Sequence, residues 1–143
     1  MKVFIVFLGM LILNVSFLSY QGDMGLYIRC QAFLKALAEE CAAGAALFYD
    51  EGAYSDGQLQ FRYEEGRKYI DFIIKESEKE TPLPKDSVLT YAVSFEDDAL
   101  GYETGNDVPS VTVVVTAATG DLFSLPFLEV TQVERAAKYE LPQ

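Results

Sequence analysis

The chain begins with an apolar segment, Val3 to Tyr20, of 18 residues and no charged side chain. A helix of that length spans about 27 Å, which is close to the thickness of the hydrocarbon core of a bilayer. An ordinary signal peptide has roughly 7 to 15 apolar residues, and residues 15–22 lack the well-spaced pair of small residues that a signal peptidase requires. We therefore predict a retained transmembrane signal anchor over residues 1–22, with a cleaved signal peptide as the alternative.

The segment after the anchor has the apolar pattern of an amphipathic helix. Residues 26–49 contain no proline, and their apolar residues recur at three- and four-residue steps. Gly22 and Gly25 are the only helix breakers between the anchor and this stem, so we expect one rod of about 45 residues, on the order of 70 Å long. The predicted stripe consists of Cys30, Leu34, Leu37, Cys41, Ala45 and Phe48.

The rest of the chain changes from helical to strand periodicity. Residues 50–57 are rich in turn formers, and residues 62–79 form a second amphipathic pattern that ends before Pro82. Pro126 is expected to bend the last strand or to place it at an edge. Alternation of apolar and polar residues predicts strands at about 87–96, 110–118 and 122–138.

These elements predict an α+β fold. An N-terminal transmembrane helix continues into a long helical stem, and a second amphipathic helix and a three-stranded antiparallel β-meander follow. Residues 23–143 are long enough for one small domain with a modest core.

The predicted domain is acidic. The chain has a net charge of −11, and Lys2 is the only charged side chain among the first 22 residues, so residues 23–143 carry −12. Acidic residues outnumber Lys and Arg by 22 to 11, which excludes nucleic acid as a partner because phosphate binding needs clustered cations. Lys2 precedes the apolar segment and Asp23 follows it, so the positive-inside rule predicts a cytoplasmic N-terminus and an external C-terminal domain.

The composition argues against catalysis and metal binding. The chain has no His, which removes the commonest general base and every Ser–His or Cys–His pair. Two Cys without His do not make a structural zinc site. The acidic loop at residues 97–107 lacks EF-hand spacing, so we interpret it as a solvated loop that prevents incorrect strand pairing. We predict no enzymatic activity, no cofactor and no metal.

Small residues mark the C-terminal half of the stem. Ala38, Ala42 and Ala46 lie at i, i+4 spacing, which allows another backbone to approach closely. That backbone belongs either to the same chain or to another subunit. Cys30 and Cys41 lie three helical turns apart, roughly 16 Å, so they are too distant to bridge each other. They are either buried members of the stripe or form bridges to a partner chain.

Five segments follow one another in a recognisable order. They are the apolar span at 3–20, the stem sequence at 31–47, and the closing segments at 111–115, 122–127 and 133–137. This order resembles the TadE-like minor pilins or pseudopilins of tight-adherence (Tad) pilus systems. The resemblance implies a membrane-anchored helical stem, a small external head that contains β-structure, and a role in assembling or priming a surface filament.

The N-terminus departs from the pattern of pilins that a prepilin peptidase processes. In those pilins a basic leader ends in Gly, and Glu occupies the fifth position of the apolar stretch that follows. Here Gly9 lies inside the apolar run, and Asn14 is the fifth residue after it. We expect Asn14 to offer a weaker polar contact between helices, worth about 1 kcal/mol.

The predicted function is that of a structural subunit. Its partners are other pilin subunits and the pilus assembly platform, it contacts the membrane through residues 3–20, and its location is the bacterial cytoplasmic membrane or a surface pilus. Two alternatives stay open: a secreted binding domain that holds a small apolar ligand between the helices and the sheet, and a single-span accessory subunit of an envelope or secretion complex. The residues expected to mediate helix packing and assembly are Asn14, Cys30, Leu34, Leu37, Ala38, Cys41, Ala42 and Ala46.

Overall fold

A computed structural model describes residues 1–103, 105 and 107–142. The elements are α1 (Lys2–Ala46), α2 (Glu51–Ser55), α3 (Tyr63–Ser77), β1 (Val88–Glu96), β2 (Ser110–Ala118) and β3 (Gln132–Glu140). The strands form one antiparallel sheet in the order β1-β2-β3, and the helices α1 and α3 pack on one face of that sheet. The α+β class, the long apolar N-terminal helix and the three-stranded antiparallel sheet are confirmed.

Helix α1 is one uninterrupted rod of 45 residues, as the sequence predicts. It passes through both glycines of the predicted junction without a break. It ends at Ala46 and not at residue 49, because the backbone N–H groups of Leu47 and Phe48 turn back to carbonyls three residues earlier (3.2 and 3.3 Å). Tyr49 then pairs with Phe61 in an isolated β-bridge. The stem is therefore three residues shorter than predicted.

Two local predictions need correction. The turn-rich break contains the short helix α2, whose first turn is capped by the carboxylate of Asp50, an acceptor for the backbone N–H groups of Gly52 and Ala53 (2.9 and 3.4 Å). The third strand begins at Gln132, ten residues later than predicted, because residues 119–131 form a long connection around a turn at Pro126. Proline cannot donate a ladder hydrogen bond, so the strand pattern before it does not become a strand.

The core lies between the sheet and the helical layer. Helix α1 crosses β2 and β3, and α3 lies beside α1 on the side of β1. Val111, Val113 and Val115 of the central strand are fully buried and form the inward face of β2. Phe95, opposite Val111 in the sheet, closes the core under α3.

Candidate anchor and packing surfaces

The N-terminal part of α1 extends from the rest of the protein as a bare apolar helix. We call residues 2–18 the projecting segment. Its apolar side chains lie open, with exposed fractions of 84% at Val3 and 65% at Leu18, and the first fully buried residue of α1 is Cys30. An apolar surface of this extent marks a contact with a membrane or another protein. By length and composition the helix is able to cross a membrane, and a signal sequence shares these features.

Asn14 is the amide side chain in the projecting segment. Its Nδ2 donates a hydrogen bond to the carbonyl oxygen of Met10, one turn earlier, at 2.8 Å. This bond satisfies one amide donor within the helix itself. Asn14 lies about 24 Å along the helix axis from Cys30, so the structure separates it from the other predicted packing residues.

The other seven predicted packing residues lie in the core of their own chain. None is more than 4% exposed, and α1 packs there against β2, β3 and α3. Of the two alternatives for this face, the intrachain one describes the structure, because the chain's own sheet and α3 cover it. These residues are Cys30, Leu34, Leu37, Ala38, Cys41, Ala42 and Ala46.

Each of the two packed helices has a glycine where it meets the other. A Cβ atom added to Gly44 would lie 2.0 Å from Cε1 of Tyr69, so the tyrosine ring occupies the space that any side chain would need. On α3, a Cβ at Gly66 would meet Cζ of Phe95 at 3.3 Å and Cβ of Ala45 at 3.5 Å. The small residues of the stem thus serve the crossing of two helices of one chain.

Both cysteines are free and buried, as expected for residues three turns apart on one helix. Burial and, to a lesser extent, the negative charge of Glu40 raise the pKa of the Cys41 thiol to about 12. Burial also raises the pKa of Cys30, partly offset by the positive charge of Arg29. Both thiols therefore stay protonated and weakly nucleophilic near neutral pH.

The connection between β2 and β3 packs against α1 where the apolar run ends. The ring of Phe123 lies between Tyr20 and Tyr27, with centroid distances of 6.0 and 5.9 Å. The backbone N–H of Ser124 donates to Oδ2 of Asp23 at 2.9 Å. Sequence analysis missed this contact, because 101 residues separate Ser124 from Asp23 and no local pattern links them.

Most of the acidic loop that the structure describes is exposed, as the solvated-loop interpretation expects, but its first residue, Asp97, is buried. Its side chain is fully buried, and Oδ2 accepts hydrogen bonds from the Phe61 backbone N–H (2.9 Å) and the Tyr63 hydroxyl (2.6 Å). Oδ1 accepts from the backbone N–H groups of Ala99 and Leu100 (3.0 and 2.8 Å). Four donors offset the cost of burying a carboxylate, so Asp97 ties the start of α3 to the end of β1.

Asp98 continues this network at the surface. It accepts from the backbone N–H of Leu59 (2.7 Å) and from the hydroxyl of Tyr102 (2.7 Å), and these bonds hold the pKa of its carboxyl below the usual value. Burial and the bond to Asp98 raise the pKa of Tyr102. A cavity of about 470 Å³ opens beside these groups, at the end of the sheet where β2 begins. It does not lie between the helices and the sheet, where the secreted-domain alternative places an apolar ligand.

Among the residues that the structure describes, no three His, Cys, Asp or Glu side chains are grouped in a way that could hold a metal ion. Thr104 and Asn106 of the acidic loop lie outside the described residues. The carboxylate oxygens of Asp97 and Asp98 accept hydrogen bonds from backbone N–H groups and tyrosine hydroxyls of the protein. The two carboxylates are best understood as parts of the fold.

Comparison with protein-family models, curated proteins and solved structures finds no match to this chain.

Proposed function

We propose that the protein is a membrane-anchored structural subunit of a surface filament, a minor pilin or pseudopilin of the TadE-like type. The observation that carries the proposal is the division of α1. One half is a bare apolar segment of membrane-spanning length, and the other half is buried beneath the sheet of a small head. Because the helix is uninterrupted, the position of the anchor fixes the position of the head. This coupling suits a subunit that moves from a bilayer into a fibre.

Retention of the anchor is supported by the contact at its base. Tyr20, the last residue of the apolar run, packs on Phe123. The carboxylate of Asp23 accepts a hydrogen bond from the backbone N–H of Ser124. Cleavage near residue 20 would remove or fray one side of that contact. The head thus uses the end of the apolar run as part of its own packing, and this favours an anchored subunit over a secreted domain.

Assembly is assigned to the projecting segment, because the small-residue face of the stem is already covered. Bare apolar helices associate in a bilayer through close packing and through polar side chains that bond between helices. Asn14 supplies such an amide in the C-terminal third of the segment. In a filament the same contacts repeat from subunit to subunit without closing into a ring. Other pilin subunits and an assembly platform in the cytoplasmic membrane are the partners that this proposal requires.

Topology is the first test of the proposal. A peptide tag is fused after residue 143, and protease is added to intact protoplasts. We expect loss of the tag and survival of the membrane-embedded anchor, because Lys2 favours a cytoplasmic N-terminus. A cytoplasmic marker protein controls for lysis. Full protection of the tag would refute the N-in, C-out arrangement.

Filament membership is the second test, and it separates a pilin from an accessory subunit. Filaments are sheared from cells, separated by centrifugation and examined for the protein. A pilin or pseudopilin appears in the sheared fraction or is needed for that fraction to form. A single-span accessory subunit stays in the membrane, and deletion of its gene leaves normal filaments.

A further inference from the structure

The connection between β2 and β3 extends the hairpin well beyond the regular sheet. Thr119 donates its backbone N–H to Thr131 (2.8 Å), and Leu122 donates to Val130 (3.0 Å). The carboxylate of Asp121 accepts from the backbone N–H groups of Phe123 and Val130, both at 3.1 Å. A turn then closes where the Leu128 backbone N–H donates to the carbonyl of Leu125 (3.1 Å). We call residues 125–128 the hairpin tip.

The hairpin tip carries an apolar side chain that nothing in its own chain covers. Phe127, the third residue of the turn, is 80% exposed, and Pro126 beside it is also exposed. Because the free energy gained by burial scales with apolar area, a surface that covers this ring would be stabilised by it. Its position relative to the projecting segment identifies what covers it.

Ser124, the residue before the hairpin tip, lies beside α1 just beyond the end of the apolar run. Ser124 bonds to Asp23, which is three residues beyond Tyr20 and therefore about 4.5 Å farther along the helix axis. Phe127 is three residues from Ser124, which places it within about 11 Å of that point. The headgroup region on each side of a bilayer is roughly 5 to 7 Å thick. These distances bring Phe127 within reach of the headgroup layer when residues 3–20 span the membrane.

We propose that the hairpin tip is a second membrane contact, in which Phe127 inserts into the outer headgroup layer of the bilayer that α1 crosses. The inference rests on the proposed membrane anchor. Residues 23–143 carry a charge of −12, so attraction to anionic lipid does not contribute and the contact is apolar and aromatic. Apolar faces that lie at the boundary between headgroups and acyl chains commonly carry Trp, Phe or Leu. Two points of attachment, the span and the hairpin tip, set the tilt and rotation of the head on the membrane.

The chain contains no Trp, so each Trp substitution yields a single fluorescent reporter. The full-length Phe127→Trp protein is reconstituted in phosphatidylcholine vesicles, with and without brominated acyl chains. Leu100→Trp is the matched control, because Leu100 is also exposed (62%) but follows β1 at the opposite end of the sheet. Leu11→Trp reports on the span itself. We expect Phe127→Trp to emit at shorter wavelength than Leu100→Trp and to lose much of its emission to brominated lipid.

The three Trp variants test the hairpin contact separately from the membrane anchor. One outcome is that brominated lipid quenches Leu11→Trp, while Phe127→Trp has the same emission wavelength and quenching as Leu100→Trp. That outcome would overturn the hairpin contact and leave the proposed anchor intact. Absence of quenching at Leu11→Trp would overturn the anchor, and the hairpin contact with it.

A second measurement uses the native aromatic residue. Amide hydrogen exchange at residues 124–129 is compared for the unsubstituted protein and Phe127→Ser, in lipid nanodiscs and in detergent. We expect slower exchange of this segment in nanodiscs, lost in Phe127→Ser. If residues 124–129 exchange equally fast in the two proteins in nanodiscs, the native Phe127 makes no lipid contact. Any contact seen by fluorescence was then created by the substituted Trp, and the inference is overturned.

Discussion

The crossing of α3 over α1 makes a sharp prediction for Gly44→Ala. The new Cβ would lie 2.0 Å from Cε1 and 2.4 Å from Cζ of Tyr69, well inside the ordinary contact range that begins at 3.4 Å. The ring must therefore move by more than 1 Å. It also packs on Phe48, with a centroid distance of 5.7 Å, so displacement of the ring disturbs a second contact.

Two opposing effects set the magnitude. Alanine in place of glycine stabilises a helix interior by about 1 kcal/mol. Overpacking costs about 1 to 3 kcal/mol, and loss of the aromatic pair costs about 0.5 to 1.5 kcal/mol. We expect Gly44→Ala to lower the free energy of unfolding of the head by about 1 to 2 kcal/mol, which corresponds to a fall in Tm of roughly 4 to 8 °C.

The matched control is Gly25→Ala on the same helix, where an added Cβ meets nothing within 4 Å. That variant should gain up to about 1 kcal/mol from helix propensity alone. The assay is thermal unfolding of the full chain in mild detergent, followed by the near-ultraviolet circular dichroism of its tyrosines. Combining Gly44→Ala with Tyr69→Ala should cost less than the sum of the single changes. Gly44→Ala as stable as Gly25→Ala, or additive with Tyr69→Ala, would refute this account of the crossing.

Three further predictions use the same protein. Ala42→Leu should destabilise the head by about 1 to 3 kcal/mol in thermal unfolding because Ala42 is 1% exposed, whereas Ala36→Leu at an exposed position should change it by less than about 0.5 kcal/mol; equal effects would contradict the intrachain packing. Iodoacetamide at pH 8 should label neither Cys30 nor Cys41 until denaturant is added, and rapid labelling of the folded chain would count against their burial. Since the folded pKa of Cys41 (about 12) exceeds its ordinary 9.0, its contribution to stability is full below pH 9 and is lost as pH rises through 12. Asp97→Asn replaces one acceptor oxygen by an NH₂ group, which would face the Phe61 N–H and the Tyr63 hydroxyl without accepting from them. We expect the free energy of unfolding to fall by about 2 to 3 kcal/mol in a thermal unfolding assay, and an unchanged Tm would disprove the role of this carboxylate.

Prediction from sequence succeeded where structure follows from local period. The apolar stripe of the stem and the alternation in β2 specify a helix and a strand, because side chains repeat every 3.6 residues in one and every 2 in the other. The third strand was placed too early because residues 122–130 are apolar without being paired as a strand. There the Asp121 hydrogen bonds and the turn at Pro126 outweigh the strand pattern. Boundaries of this kind depend on pairing partners that a single segment does not reveal.

The rod, the strands, the acidic charge and the burial of the stem's apolar face follow from composition and spacing within single segments. What covers that face follows only from the path of the whole chain. Small residues permit close approach of any backbone, and only the path of the chain brings α3 and the sheet onto Ala38 and Ala42 before another subunit is able to reach them. The same holds for Asp97, whose donors at Phe61 and Tyr63 come from a segment more than 30 residues away. Contacts between distant segments depend on the whole fold, because their free energy arises only when both segments are already in place.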